Sequence, residues 1–337
     1  MNPNPSSCLT VLGAGSWGTA LAMLLARNGH KVKLWDRDSQ HVHALNNDRV
    51  NQRYLPGIPL PENVLPVSEL EDALKDASFI LSVVPSSGFR EVLKKIGSIS
   101  TSPLNFVWAS KGLEPGTGKF LHEVVAEELT DDANVAALSG PSFATEVAKG
   151  LPTAVTVASN DIEYANTVAR LFHCPSFRAY TSDDLIGVEL GGSIKNVLAI
   201  AAGISDGLGY GANARAALIT RGLAEIMRLG TELGGKRETF MGLAGVGDLV
   251  LTCTDDQSRN RRLGLALGRG VALDKAVKDI GQAVEGLHTA RELDAMAQRH
   301  GVDMPITHQV KRVLFDNEPA ASAVDTLLAR DAKPEAV

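Results

Sequence analysis

Hydrophobic and polar positions change rhythm once along the chain. Up to about residue 183, short apolar runs bounded by Gly, Pro or Ser alternate with segments of helical spacing. Leu9-Thr10-Val11-Leu12 ends at Gly13 and reads as a buried parallel strand. Residues 17–27 read helical, with Leu21, Leu24 and Leu25 on one face and Gly29 as a left-handed stop. Further strands are predicted at 32–35, 79–84 (ended by Pro85), 105–109, 135–138 and 153–158. Such strand–helix alternation predicts an α/β fold with a doubly wound parallel sheet. After that point long helical patterns take over. Ile186, Leu190, Ile194, Val197, Leu198 and Ala201 share one helical face, and 214–233, 262–267, 287–300 and 305–315 also read helical. The expected division is a sheet domain over 8–188 and an all-helical domain over 189–330. The tails, 2–7 and 331–337, read as solvated.

Composition narrows the class. A chain of 337 residues fits about two domains. With 44% hydrophobic and 21% charged residues, it lies near the globular average, so disorder is not expected. The formal net charge of −6 argues against a nucleic-acid partner, while leaving room for one local phosphate pocket. Three cysteines, Cys8, Cys174 and Cys253, are far apart with no C-x-x-C, which suggests neither a disulfide framework nor a zinc site. The start, MNPNPSSCLT, does not look like a signal peptide. No run approaches the ~20 consecutive apolar residues of a membrane helix, so no membrane insertion is expected. A reducing cytoplasm is the expected location.

Three segments carry candidate chemistry. Gly13-Ala14-Gly15-Ser16-Trp17-Gly18 fits G-x-G-x-x-G, placed between the first strand and the first helix. Gly13 permits the tight turn, Gly15 lets backbone approach a pyrophosphate, and Gly18 lets helix and strand pack closely. The helix N-terminus then offers amides to phosphates. At the end of the second strand, Asp36 could accept from a free ribose 2′-OH or cap a helix, while Arg37 could pair with a 2′-phosphate or sit solvated. The choice between NAD and NADP stays open on these residues. Lys195 lies among Gly191, Gly192, Ala199 and Ala202, a face with room for another body; burial there would lower its pKa towards that of a base. On these residues alone, a lysine with its stem on the surface and its head in water is the better reading. Third, Gly245-Val246-Gly247-Asp248-Leu249 is a glycine-punctuated turn. It is followed by the polar run 255–262, whose arginines and helix start suit a phosphate dianion, or are simply solvated. His41 and His43, two apart on a helix, do not face each other and suggest no metal site.

Taken together, the runs VLGAGSWGTALA, SVVPS, WASKGLE, LSGPSFATEVAKGLPTAV, GVELGGSIKNVLAIAAGISDGLGYGANARAALITRGLAE, FMGLAGVGDLVLTCTDDQSRNRR and GQAVEG resemble the bacterial form of the NAD(P)-dependent glycerol-3-phosphate dehydrogenase family. The resemblance implies an N-terminal Rossmann domain and a C-terminal helical domain. It implies reversible NAD(P)H-dependent reduction of dihydroxyacetone phosphate to sn-glycerol 3-phosphate, supplying glycerophospholipid synthesis, with no metal. Carried over position by position, it makes Lys195, Lys111 and Asp248 catalytic. The cofactor would be held by Gly13, Gly15, Ser16, Trp17, Gly18, Arg37, Pro85, Lys111, Ala144, Arg259 and Glu285. The substrate would meet Lys111, Gly140, Ser142, Lys195, Asp248, Ser258, Arg259 and Asn260. Lys195 would serve as proton donor or base, Asp248 would hold it, and Arg259 would anchor the phosphate. Asp36 stands where many relatives carry a small or uncharged residue, so NADH is expected to be well accepted. The expected partners are small molecules, and a homodimer is expected. Two other classes stay in view: a dehydrogenase of 3-hydroxy acids or ketopantoate, which would recognise a carboxylate, and a nucleotide-sensing regulator without turnover.

Overall fold

In the computed structural model, residues 8–100, 104–130 and 132–331 are described. The tails expected to be solvated lie outside them, save Asp331, which is exposed. The chain forms two compact units, one of residues up to Ser110 plus His122–Leu185, the other of Lys111–Leu121 plus Ile186 onwards. The strand–helix pattern gives no sign that Lys111–Leu121 belongs to the second unit.

The first unit opens with β1 (Cys8–Leu12), α1 (Ser16–Arg27), β2 (Lys31–Trp35), α2 (Ser39–Asp48) and β3 (Val64–Val67). It continues through α3 (Leu70–Leu74), β4 (Ala77–Ser82), α4 (Ser86–Ile99), β5 (Asn105–Trp108) and α5 (Leu121–Glu128). It closes with β6 (Asn134–Ser139), α6 (Ala144–Ala148), β7 (Thr153–Ala158), α7 (Ile162–Phe172) and β8 (Phe177–Ser182). All eight strands join one sheet in the order β3-β2-β1-β4-β5-β6-β7-β8. From β3 to β6 the pairing is parallel throughout, as expected. The expectation of an all-parallel sheet is corrected at β7, which runs antiparallel to β6 with Ser139 opposite Thr156. Between them, residues 140–152 carry only the five-residue α6, too short for the crossover helix that returns a chain to parallel register. α6 packs on α1 instead, and Arg27 donates to the carbonyls of Val147 and Ala148, at 2.6 and 2.7 Å, where that helix ends.

Two strands escaped the sequence pattern. β3 is short and contains Pro66, and β8 carries Arg178, Tyr180 and Thr181, so neither presents a plain apolar run. The core of the unit lies where α1 and α7 cover the sheet, with α6 packed on α1: Val11, Leu21, Leu24, Leu25, Val107 and Phe172 are all buried. Each such side chain contributes about 1.5–3 kcal/mol of transfer free energy.

The second unit is helical: α8 (Leu185–Gly207), α9 (Ala212–Glu232), α10 (Arg237–Phe240), α11 (Asp248–Thr254), α12 (Arg259–Gly268), α13 (Leu273–Ile280), α14 (Glu285–Arg299), α15 (Pro305–Phe315) and α16 (Ala320–Leu328). The glycine-rich stretch before α11, read from sequence as a turn, is a π-helical turn over Leu243–Gly247. α8 is the central element. It is long and apolar enough to cross a membrane, yet 94% of its apolar window is buried by the rest of the fold. Its glycines allow that: a Cβ on Gly203 would overlap the Arg261 carbonyl, and one on Gly264 of α12 would overlap the Ile200 carbonyl. The two helix backbones therefore lie in direct contact.

Candidate active site

Chemistry-bearing side chains gather in each unit, beginning with the glycine turn in the first. Gly13 has φ +106°, a conformation that penalises any side chain, and Gly15 is the N-cap of α1. A Cβ on Gly18 would overlap the Gly13 carbonyl, whereas a Cβ on Gly15 would meet nothing within 4 Å. The side of the turn where backbone must approach a pyrophosphate is thus open, and the side that packs is closed. Ser16 and Trp17 begin α1, and the indole Nε1 of Trp17 is buried with no hydrogen-bond partner. The turn is braced from behind. Ala14 donates to Asp36 Oδ2 at 3.0 Å, and its carbonyl accepts from the Asn51 amide at 2.9 Å and lies 3.2 Å from His41 Nε2. Asn51 was not singled out from sequence, and His41 was considered only as a metal ligand, because a bond to the Ala14 carbonyl leaves no residue pattern. The open Gly15 face, the helix start and the unpartnered indole nitrogen fit a dinucleotide.

Asp36 does not cap α2; Asp38 does, accepting from Gln40 and His41. Instead Asp36 joins the glycine turn to the chain after β2, since its Oδ1 accepts from Asp38 N at 3.0 Å. Arg37 is exposed beside it. Pro85 follows β4 as the N-cap of α4, so it sits at a carboxyl end of the sheet, where such folds bind ligands. Gly140, Ser142 and Ala144 also lie in this unit, between β6 and the start of α6, with the Ser142 hydroxyl donating to the Gly140 carbonyl at 3.0 Å.

In the second unit a carboxylate stands between two amines. Asp248, the first residue of α11, is fully buried, with 0% exposure. Its Oδ2 accepts from Lys111 Nζ at 2.7 Å and its Oδ1 from Lys195 Nζ. Lys195 Nζ also donates to Thr252 Oγ1 at 3.1 Å, and Thr252 donates in turn to the Asp248 carbonyl at 2.6 Å. Thr252 was legible in principle, lying one helical turn after Asp248. The surface reading of Lys195 is corrected: its side chain is 9% exposed. Burial lowers its pKa to about 7, with the Lys111 cation pushing the same way and Asp248 opposing. Two ammonium groups on one carboxylate leave a net positive charge in a place poor in water.

Seven residues beyond Thr252, α12 starts. Ser258 is its N-cap and accepts from Arg261 N at 3.2 Å. The polar run is solvated only in part: Ser258, Asn260 and Arg261 are buried, while Asp256, Gln257 and Arg262 are exposed. Arg259 is half-buried, and burial lowers its pKa while the Glu285 carboxylate at the start of α14 raises it. The Asn260 side chain is spent on packing: it donates to Asn196 Oδ1 at 2.9 Å and accepts from Gly286 N at 3.0 Å. Asn196, next to Lys195, was not singled out from sequence. The N–H groups of Arg259 and Asn260, at the first two helical positions, have no acceptor within the helix. Among the described residues, no group of three or more His, Cys, Asp or Glu side chains could hold a metal.

The chain is similar to known proteins over nearly its whole length. Residues 8–165 match the family described as NAD-dependent glycerol-3-phosphate dehydrogenase N-terminus, and residues 184–325 match its C-terminus. A protein of Thioalkalivibrio sulfidiphilus named glycerol-3-phosphate dehydrogenase [NAD(P)+] is 60% identical, covering 97% of this chain and 98% of its own. A protein of the same name from Nitrosococcus oceani is 57% identical, over 96% of this chain and 94% of its own. The crystal structure of glycerol-3-phosphate dehydrogenase from Coxiella burnetii superposes with a TM-score of 0.94 at 51% identity, covering 97% of this chain and 100% of that one.

Proposed function

Because the chain belongs to the NAD-dependent glycerol-3-phosphate dehydrogenase family, we propose that Lys195, Lys111 and Asp248 carry the reversible reduction of dihydroxyacetone phosphate to sn-glycerol 3-phosphate. The observation that carries this is the buried carboxylate shared by two amines, one of them with a pKa brought to about 7.

When bound, the reduced dinucleotide supplies the hydride. Everything else falls to the chain. The open face of Gly15, the first amides of α1 and Trp17 receive the dinucleotide phosphates and its neighbouring groups. As the carbonyl carbon is reduced, its oxygen gathers negative charge. Lys195 donates its proton to that oxygen, and in the oxidative direction the neutral amine removes it. Lys111 stabilises the same charge electrostatically, in surroundings where water does not screen it. Asp248 holds both amines and remains the acceptor throughout. At the other end, the Arg259 guanidinium and the N–H groups of Arg259 and Asn260 receive the phosphate dianion, with Ser258 ordering the helix start. This binding energy, remote from the carbonyl, orients the reacting carbon. Glu285 pairs with Arg259, and Gly140, Ser142, Pro85 and Ala144 complete the substrate and cofactor contacts.

Asp36 favours NADH by repelling a 2′-phosphate, while Arg37 keeps NADPH usable. The domain assignment in this reading is cofactor binding by 8–188 and substrate binding and catalysis by 189–330, with Lys111 as an addition to the latter. The product feeds glycerophospholipid synthesis. The free thiols Cys8, Cys174 and Cys253 suit a reducing cytoplasm. A homodimer is read from the family resemblance and is checked by sedimentation. The central test is NADH and NADPH oxidation followed spectrophotometrically with dihydroxyacetone phosphate. Turnover that needs the phosphorylated ketone is expected. Turnover with 2-keto acids instead, or nucleotide binding without any turnover, would sink the assignment.

A further inference from the structure

Behind the start of α12 lies a second charge cluster that the mechanism above does not use. Asp206, near the end of α8, is nine-tenths buried. Its Oδ2 accepts from Arg261 Nη1 and, at 2.7 Å, from Arg215 Nη1 of α9. Its Oδ1 receives no hydrogen bond, so two guanidiniums on a single oxygen neutralise the charge. Arg261 is equally buried, and its Nε donates to Asp256 Oδ1 at 2.9 Å. Its backbone N–H is the one that Ser258 caps. One side chain therefore ties the loop before α12, the cap and the first turn to the end of α8. Because a Cβ on Gly203 would overlap the Arg261 carbonyl, the first turn of α12 lies directly against α8, with no room for closer approach to fill a loss there. The first turn of α12 is also tied to the residue beside the reacting amine, since Asn260 Nδ2 donates to Asn196 Oδ1 at 2.9 Å.

We propose that Asp206 is a positioning residue for the substrate phosphate, acting through Arg261 to hold Arg259 and the first amides of α12 in register with Lys195. This rests on the phosphate role given above to Arg259. A bare Arg261 would be an uncompensated buried charge on one side. It would swing towards Asp256, which is 69% exposed, and take the helix start with it. Displacement by as little as ~1 Å from productive geometry can cost about 100-fold in rate.

The test compares kcat and KM for dihydroxyacetone phosphate and for unphosphorylated dihydroxyacetone in the full-length protein. In Asp206→Asn the ratio of the two kcat/KM values is expected to fall about 10-fold or more, chiefly through KM for the phosphate substrate. Arg215→Met removes the other partner of the same carboxylate oxygen without touching α12, and is expected to keep that ratio within about twofold. A merely structural carboxylate would make the two variants alike. Should Asp206→Asn fail to fold, Arg261→Lys retains the charge but cannot bridge Asp206 and Asp256 together, and is expected to lower the ratio likewise. An unchanged ratio in Asp206→Asn, or in Arg261→Lys where that variant stands in, overturns the proposal; so does an equal fall in Arg215→Met. An Arg259→Ala arm separates the two levels. If it leaves the ratio unchanged, the phosphate assignment fails and this proposal with it. If only Arg259→Ala lowers the ratio, the positioning role alone fails.

Discussion

Replacing Asp248 by Asn changes almost no volume and removes the charge on which both amines depend. The carboxamide offers one acceptor oxygen where two ammonium groups now find two. Its NH2 would face the other amine, donor to donor. Because Asp248 is fully buried, water cannot restore the missing charge. Breaking a buried pair of this kind costs about 3–5 kcal/mol. At 1.36 kcal/mol per decade, the loss corresponds to roughly two to nearly four orders of magnitude in kcat/KM if it is expressed in the transition state. There is also a sign to check. Burial and Lys111 already lower the Lys195 pKa, and Asp248 is the group that raises it. Without that carboxylate the pKa falls further, so at neutral pH Lys195 is neutral and no longer a proton donor for reduction. The assay follows NADH oxidation with dihydroxyacetone phosphate between about pH 5 and 9, a window spanning the lowered lysine pKa. NADH affinity is measured by fluorescence and folding by circular dichroism. A folded protein that binds NADH, with strongly reduced turnover and an alkaline limb moved to lower pH, is expected. Folded Asp248→Asn with turnover within about tenfold of wild type and an unmoved limb would refute the reasoning.

Four further outcomes follow from the geometry. In the unaltered protein, kcat/KM for reduction should fall as pH rises through about 7, where Lys195 loses its proton, and kcat/KM for oxidation should rise through the same region; steady-state profiles in both directions check this, and parallel profiles would contradict it. Lys195→Ala should lose turnover while NAD(P)H titration stays near normal, so near-normal turnover is the refuting result. Arg259→Ala should weaken kcat/KM for the phosphorylated ketone about 10–100-fold more than for dihydroxyacetone, as expected for a charge-assisted contact worth ~1.5–3 kcal/mol. For the nucleotide, Asp36→Ser should shift the ratio of catalytic efficiencies towards NADPH and lower the melting temperature. Asp36 both repels a 2′-phosphate and braces Ala14 and Asp38, so an unchanged ratio would separate the second role from the first.

How far the chain could be read depended on whether the deciding interaction was local. The glycine turn was legible because its requirements are backbone requirements: a positive φ at Gly13 and a missing Cβ at Gly18 are properties of single positions between one strand and one helix. The long apolar face of α8 was legible for a similar reason, since helical periodicity shows in the order of residues. By residue pattern alone Lys195 looked like a surface lysine, and only its resemblance to known dehydrogenases suggested otherwise. The reason is that its environment is assembled from distant pieces: Asp248 is 53 positions away, and Lys111 is 137 positions from that carboxylate. The same distance hid Asn196 with Asn260, and Asp206 with Arg261. Strand direction at β7 was equally out of reach, because it is set by how short a helix fits between β6 and β7 rather than by the strand's own residues. Sequence by itself determined which segments bury apolar surface and where backbone must bend tightly. Tertiary structure alone decided which charges lose water together, and desolvation, not residue type, turns an ordinary lysine into an acid–base group near neutrality.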